Sequence, residues 1–154
     1  MVMNMNRMTC EKSFKGKTIV EGRAEGKAIT SNMPLSFWGG FDPSEGKVID
    51  RYHDLYDVDV KGKIMVLPEG RGSCTGSVVL LEAILSENGP NGIILKAADE
   101  IITLGGIVAD EIFTEGIPVV VLDDEDFSHL INAEYINISD NDVTVHFMEG
   151  DQDD

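Results

Sequence analysis

Positive charge is scarce in this chain of 154 residues. Its 12 lysines and arginines face 28 aspartates and glutamates, which gives a formal net charge of −16. Because a nucleic-acid partner requires clustered basic side chains, this balance argues against one. Part of the acidic excess is local, at residues 123–126 and in the final stretch MEGDQDD, and such runs are typical of solvated segments.

Cysteine is also scarce, since the whole sequence contains only Cys10 and Cys74. They lie far apart and form no CxxC pair or zinc-type Cys/His spacing, so neither a disulfide framework nor a zinc site is expected. An iron–sulfur cluster usually takes about four cysteine ligands, and two are too few to hold one alone. We interpret Cys74 as a small buried side chain and not as a reactive thiol.

Long apolar runs are missing as well. No segment reaches the roughly 20 apolar residues that a membrane-spanning helix needs. The N-terminal stretch MVMNMNRMTCEKSFKGK has no apolar core of the kind found in signal peptides. Together these absences predict a reduced, cytoplasmic protein with no membrane contact.

The composition otherwise suits a single globular domain. Hydrophobic residues make up 42% of the chain, and the length fits one domain with a core that needs no disulfide. We expect residues 1–15 to be a loose leader, residues 16–148 to form the domain and residues 149–154 to be an acidic tail.

The centre of the chain alternates between two kinds of apolar segment. KIMVLP, GIILK and GIPVVVLD are short and continuously apolar, as in strands buried on both faces. Between them, SVVLLEAILSENG and DEIITLGGIVADEIF are typical of helices, the second weakened by its glycine pair. This order predicts a parallel or mixed sheet with helices packed on it.

Both ends of the chain favour β-structure. TIVEGRAEGKAIT alternates well enough for one or two strands, broken at Gly22 or Gly26. YINISDNDVTVHF predicts a hairpin, and DFSHLI a short helix before it. We therefore predict an α/β fold of the layered β/β/α kind with a mixed sheet, distinct from a Rossmann unit.

The stretch PEGRGSCTGS lies between a buried strand and a helix, and three interpretations remain open. In the first it is only a glycine turn, with Thr75 or Ser77 capping the helix. In the second, Arg71 and the free N–H groups at the helix start bind an anion. In the third, a serine hydroxyl here takes a proton. The stretch fits neither GxGxxG nor the phosphate-loop pattern, because no lysine follows.

Two further features outside this stretch could serve function. His53 lies among acids in a predicted loop and could line a site, although no Ser/His/Asp set can be assembled around it. Phe37 and Trp38 fit either the core or an aromatic surface against a partner.

The ordered motifs of the chain resemble one known family. PLSFWGGFDPSEGKVID, KGKIMVLPEGRGSCTGS, LGGIVADEIF and GIPVV follow one another as in the small subunit of the aconitase X family. The similarity runs from about residue 15 to about residue 145. It implies the swivelling β/β/α domain of aconitases, in agreement with the layout above.

The resemblance also implies an activity. Archaeal members dehydrate (R)-5-phosphomevalonate to trans-anhydromevalonate 5-phosphate in the mevalonate route to isoprenoids, and we take this hydro-lyase as the first expectation. Bacterial relatives dehydrate cis-3-hydroxy-L-proline, which is the alternative. A non-enzymatic anion-binding module is the third possibility. As a family small subunit, the chain is expected to be inactive without its large subunit.

Residue roles follow from the same resemblance. The serine after Arg-Gly is the family's proton acceptor, which is Ser73 here. The [4Fe–4S] cluster, a Lewis acid for the leaving hydroxyl, is held by cysteines of the large subunit, so no metal is expected on this chain. The substrate is then a small phosphorylated hydroxy acid. Its expected contacts are assigned by their position around Ser73 and not by carry-over from the family, and they are Arg71, Gly72, Cys74, Thr75 and Ser77.

Overall fold

The structure is a computed structural model and describes residues 10–72 and 75–147 of the chain. The elements within these residues run in the order β1 (Cys10–Lys15), β2 (Lys17–Val20), β3 (Arg23–Thr30), α1 (Phe37–Gly40), β4 (Phe41–Asp42), β5 (Lys47–Val48), β6 (Ile64–Leu67), α2 (Thr75–Leu85), β7 (Gly92–Leu95), α3 (Glu100–Glu111), β8 (Val119–Val121), α4 (Asp124–Ser128), β9 (Ala133–Ser139) and β10 (Asp142–Phe147).

The three continuously apolar runs form the parallel centre of the main sheet, as predicted. β6 pairs with β7, and β7 pairs with β8, all in parallel. All four residues of β6 and of β7 are buried, which explains why these strands show no polar alternation. α2 and α3 are the crossover connections between them.

The hairpin near the end of the chain is also confirmed. β9 and β10 pair antiparallel around Asp140 and Asn141, and Asp140 takes a positive φ of 56° in the turn. β9 also pairs antiparallel with the first part of β3, whose last three residues pair in parallel with β6. A single strand therefore joins the antiparallel and the parallel parts.

The eight strands of the main sheet follow the order β1-β10-β9-β3-β6-β7-β8-β2. β1 and β2 stand at opposite ends of this order, yet only Gly16 separates them along the chain. The sheet is therefore curled, and the segment formed by β1 and β2 bridges its two ends.

Two apolar clusters lie on the two faces of the parallel strands. Ile64 and Val66 of β6 face a cluster shared with β9 and β10, whereas Met65 and Leu67 face a cluster shared with α2 and α3. The alternation along one strand thus separates a sheet-on-sheet core from a sheet-on-helix core. These layers confirm the predicted β/β/α arrangement with a mixed sheet.

The N-terminal segment differs from the expectation of a loose leader. Residues 10–15 form β1, which pairs residue by residue with β10. Cys10 and Phe14 pack against the cluster between the two sheet layers, while the other side chains of β1 are exposed. With only two inward side chains, the sequence of β1 shows no clear apolar alternation. The strand is held mainly by its backbone pairing with β10. The first nine residues and the acidic tail after residue 147 lie outside the described residues.

The candidate break in the early strands falls at one of the two glycines named from the sequence. Glu21 and Gly22 separate β2 from β3, whereas Gly26 lies inside β3 and pairs with Ile136.

No helix in the described residues is long and apolar enough to cross a membrane.

The long segment between β3 and β6 is held by short polar turns. Asp42, Asp50 and Asp59 each accept a hydrogen bond from the backbone N–H two residues ahead. At Asp42, the Ser44 hydroxyl and then the Ser44 N–H lower the pKa of the carboxyl below its ordinary value. These turns give the segment a defined course with little regular structure.

Candidate functional site

Three loops meet beyond the carboxyl ends of the parallel strands. They are residues 31–36 after β3, residues 68–72 after β6 and residues 96–99 after β7. The backbone N–H groups of Lys96 and Ala97 donate to the Pro68 carbonyl at 3.0 and 3.1 Å, which fixes the second loop to the third. This edge is where open α/β sheets generally bind ligands.

Leu35 fixes the first loop to the second. Its N–H donates to the Glu69 carbonyl at 3.3 Å, and its carbonyl accepts from the Arg71 N–H at 3.1 Å. The Leu35 side chain is fully buried in the core between sheet and helices. The backbone around Gly70 is therefore held on both sides by one anchored residue.

The glycines of the second loop lie against neighbouring atoms. A Cβ placed on Gly70 would lie 2.7 Å from Oδ2 of Asp99, the residue that caps α3. Gly72 has a positive φ of 98°, and a Cβ there would lie 2.6 Å from Oγ of Ser36. A Cβ at either position would displace Asp99 or Ser36, and Gly72 also needs its left-handed backbone, so glycine suits a tight turn at both positions.

The predicted substrate contacts Arg71, Gly72 and Thr75 lie together on the surface of this edge. All three residues are exposed, and Thr75 is the first residue of α2. The Arg71 guanidinium has no ion-pair partner among the described residues. Arg71 precedes the first residue of this eleven-residue helix by four positions, and a guanidinium near the positive end of a helix suits an anion. Ser73 and Cys74 lie outside the described residues, and their roles stay predictions.

Ser77 differs from the other predicted contacts in its surroundings. Only 5% of this residue is exposed, and its hydroxyl donates to the Ile101 carbonyl at 2.9 Å. The hydroxyl therefore joins α2 to α3. That Ser77 contacts substrate stays a prediction, which this internal bond does not favour for the side chain.

The aromatic pair beside the loop is divided between core and surface. Phe37 is fully buried, whereas Trp38 is 58% exposed. The Ser36 hydroxyl donates to the Trp38 carbonyl at 2.9 Å, and the Trp38 backbone passes close to Gly76 at the start of α2. Phe37 thus lies in the core and Trp38 on the surface next to the candidate site, while a partner contact of Trp38 stays a prediction.

Sequence reasoning missed two residues that build the site. Leu35 gave no signal, because an isolated leucine in an irregular segment is not distinguished by its neighbours. Asp99 carried the ordinary signal of a helix N-cap, an aspartate directly before an apolar periodic run, and its carboxylate accepts from the Ile102 N–H at 2.8 Å.

A second cleft lies near the same edge, on the other face of β6. It has a volume of about 250 Å³, and its lining includes Ser31, Asp54, Val66 and Phe127. Val66 belongs to the cluster between the two sheet layers, so this cleft faces away from α2. It is therefore separate from the Arg71 surface.

The donor set of this chain does not fit an iron–sulfur cluster. The sequence has two cysteines, and only Cys10, on β1, is among the described residues. Over residues 10–72 and 75–147, no three His, Cys, Asp or Glu side chains converge in a way that could hold a metal ion.

Comparison with known proteins gives two kinds of relative. A cis-3-hydroxy-L-proline dehydratase of Hypocrea jecorina is 48% identical over 126 residues, which are 82% of this chain and 21% of that protein. The chain thus spans about a fifth of that relative, and 22% of the Pseudomonas aeruginosa protein of the same name. A phosphomevalonate dehydratase small subunit of Thermococcus onnurineus is 36% identical over 88% of this chain and 98% of its own length.

Solved structures agree with the fold. The holo-form crystal structure of Thermococcus kodakaraensis aconitase X matches with a TM-score of 0.78 and 35% identity, over 87% of this chain and 98% of that one. Residues 13–147 match the family described as the aconitase X swivel domain. The resemblance predicted from the motifs is confirmed, and the chain belongs to the aconitase X swivel-domain family.

Proposed function

We propose that this chain is the swivel-domain component of a heteromeric hydro-lyase that removes water from a small hydroxy acid. The observation that carries the proposal is the exposed Arg71 shortly before the start of α2, within the residues 13–147 that match the family. Relatives named as dehydratases support the reaction class.

Two substrates are candidates, each favoured by a different observation. The sequence resemblance led first to (R)-5-phosphomevalonate, and the match to nearly the full length of a phosphomevalonate dehydratase small subunit supports it. Sequence identity favours cis-3-hydroxy-L-proline, since the two relatives named for that substrate are 48% and 42% identical over 126 and 130 residues. Both molecules carry a carboxylate that Arg71 and the N–H groups at the start of α2 suit.

We propose Ser73 as the proton acceptor. In this reaction a C–H bond of the substrate breaks, its proton passes to the Ser73 alkoxide and its electron pair forms the new double bond. The hydroxyl on the neighbouring carbon leaves as hydroxide, which becomes water by taking a proton from solvent, and Ser73 returns its own proton to solvent afterwards. A serine hydroxyl is a weak base at neutral pH, so its site must stabilise the alkoxide. Arg71 and the positive end of α2 supply that stabilisation in this proposal.

The partner is a large subunit that covers this edge and carries the [4Fe–4S] cluster, because this chain lacks the cysteines to hold one. The exposed Trp38 supports a partner contact here, since tryptophan is enriched at protein interfaces. Covering the edge excludes water and strengthens every charge interaction inside it. The isolated chain is then inactive.

The test is reconstitution with the large subunit followed by assay on both substrates. Wild-type chain should give dehydration of one of them, and Ser73→Ala should lower turnover by a factor of about 10³ or more while the complex still assembles. Ser86→Ala, at an exposed serine just after α2, is the matched control and should leave turnover unchanged.

Three outcomes would contradict the proposal. Full activity of the Ser73→Ala complex would remove the serine from the mechanism. Activity of the isolated chain, or no turnover of either substrate by a complex with a loaded cluster, would remove the assignment as a dehydratase component. Binding of inorganic phosphate by the isolated chain without any turnover would instead support an anion-binding module.

A further inference from the structure

We propose that His53 is a positioning residue for the Gly-rich loop, acting through Met33 and Leu35. It lies on a different segment from the loop and does not touch it. The proposal rests on the proposed function for its catalytic consequence, although the positioning itself can be measured without any reaction.

The imidazole is buried and uses both nitrogens. The His53 side chain is 1% exposed. The Leu55 N–H donates to Nδ1 at 3.1 Å, and since an amide N–H can only donate, Nδ1 accepts and the ring proton is on Nε2. Nε2–H then donates to the Met33 carbonyl at 3.0 Å. In this arrangement the ring joins residues 53–55 to Met33.

A second chain of hydrogen bonds links Asp54 to Met33 through Ser31. The Asp54 carboxylate accepts from the Ser31 hydroxyl at 2.5 Å, and Ser31 Oγ in turn accepts from the Met33 N–H at 2.9 Å. Asp54 Oδ1 is also 3.3 Å from Nδ1 of His53, but Nδ1 has no proton to donate to it, because the Leu55 N–H already donates to Nδ1. Met33 is thus held at both its N–H and its carbonyl.

The connection from Met33 to the candidate site runs through Leu35, two residues later. Leu35 follows Met33 after Pro34, and it bonds the backbone on both sides of Gly70, at Glu69 and at Arg71. The path from His53 to the Arg71 N–H therefore consists of Met33, a proline of restricted φ and Leu35. Displacement of Met33 by loss of the imidazole bond shifts the anchor of Arg71. Catalytic geometry tolerates misplacement of about 0.5 Å before rates fall, so such a shift reduces turnover.

Two substitutions at His53 separate its two hydrogen bonds. His53→Gln places an amide NH₂ near the position of Nε2, so it can keep the bond to Met33 and lose the bond to Leu55. His53→Asn places an amide oxygen near Nδ1, so it can accept from Leu55 as Asp42, Asp50 and Asp59 do two residues ahead. It is too short to reach Met33.

The experiment measures backbone amide hydrogen exchange at Leu35 and Arg71 in the isolated chain, and kcat and KM in the complex. We expect His53→Asn to speed exchange of both amides about tenfold and to lower kcat about tenfold with a smaller change in KM. His53→Gln should stay within about threefold of wild type in each measurement. Exchange of the amides of β10, which pairs with β1 and β9 and with none of the strands that lead into the three loops, should not change in either variant.

Equal effects of the two variants, or unchanged exchange of Arg71 in His53→Asn, would overturn the proposal. Should both variants fail to fold, Ser31→Ala removes the tie to the Met33 N–H and leaves both imidazole bonds, and it should speed exchange of Arg71 in the same direction. No turnover in the wild-type complex would count against the proposed function alone, because the exchange measurement still decides the positioning.

Discussion

At the scale of single residues, Gly72 shows how the fold limits the choice of side chain in the site. Its φ of +98° disfavours every residue with a Cβ, and its position against Ser36 Oγ leaves no room for one. Gly62 has a comparable φ of +76°, but a Cβ there meets nothing within 4 Å. Both glycines have a left-handed backbone, but only at Gly72 would an added Cβ contact a neighbouring residue.

We therefore expect Gly72→Ala and Gly62→Ala to have different consequences. Both should lower the free energy of unfolding by about 1 kcal/mol through the left-handed backbone. Only Gly72→Ala should also displace Ser36 and reduce turnover of the reconstituted complex, by about tenfold or more. Urea denaturation and steady-state kinetics measure the two effects, and equal turnover in the two variants would contradict this interpretation.

Much of the site's outline was predictable from the sequence. A glycine-rich stretch between an apolar run and a helical pattern placed Arg71, Gly72 and Thr75 at the end of a strand and the start of a helix, and they lie there. The path that holds this stretch could not be predicted. Leu35 and His53 act through backbone carbonyls and N–H groups, and a sequence does not say which backbone groups will meet.

At the scale of elements, the contact between α2 and α3 depends on one glycine of a pair. A Cβ on Gly105 would lie 2.9 Å from the Ser77 carbonyl of α2, so the helices approach there without a side chain between them. Gly106 faces Val20 and Val119, and its Cβ would lie 3.3 Å from the nearest atom, a valine methyl that can shift slightly.

This difference predicts opposite outcomes for two conservative substitutions. Alanine is favoured over glycine in a helix by about 1 kcal/mol, which should make Gly106→Ala close to neutral or stabilising. Gly105→Ala should instead lower the free energy of unfolding by about 1–3 kcal/mol, since it forces the helices apart at a backbone carbonyl. Thermal and urea denaturation of the isolated chain measure both changes in stability. A destabilised Gly106→Ala would contradict the contacts described for Gly106.

The sequence indicated that both glycines weaken α3 and could not tell them apart. The buried strands β6, β7 and β8 were predictable because burial on both faces leaves a continuous apolar run. β1 was not, because its packing comes mostly from the strand beside it. Strands whose own residues form an apolar pattern were predicted, whereas β1, whose packing comes mostly from β10, was not.

At the scale of the whole molecule, the formal charge of −16 acts on stability. Acidic side chains on one small folded surface repel one another, and the repulsion is weaker in the expanded unfolded chain. Salt screens such interactions, with a Debye length of about 10 Å at 0.1 M. We expect the Tm of the isolated chain to rise by roughly a few degrees between low salt and about 0.5 M sodium chloride.

The control for this prediction is the same salt series near the isoelectric point, where the net charge vanishes and the rise should vanish with it. A Tm that falls with salt at neutral pH would show that the few surface ion pairs, such as Lys15 with Asp142, outweigh the repulsion.

The bridging of the sheet's two ends by β1 and β2 also has a consequence for protein synthesis. Among the described residues β1 pairs with β10 alone, so this first strand leaves the ribosome long before its partner, the last described strand, has been made. Until then, the edge of β1 exposes unpaired backbone groups that another chain can bind. Closure of the sheet by β1 therefore waits until β10 has been translated, and the β1 edge can pair with another chain until then.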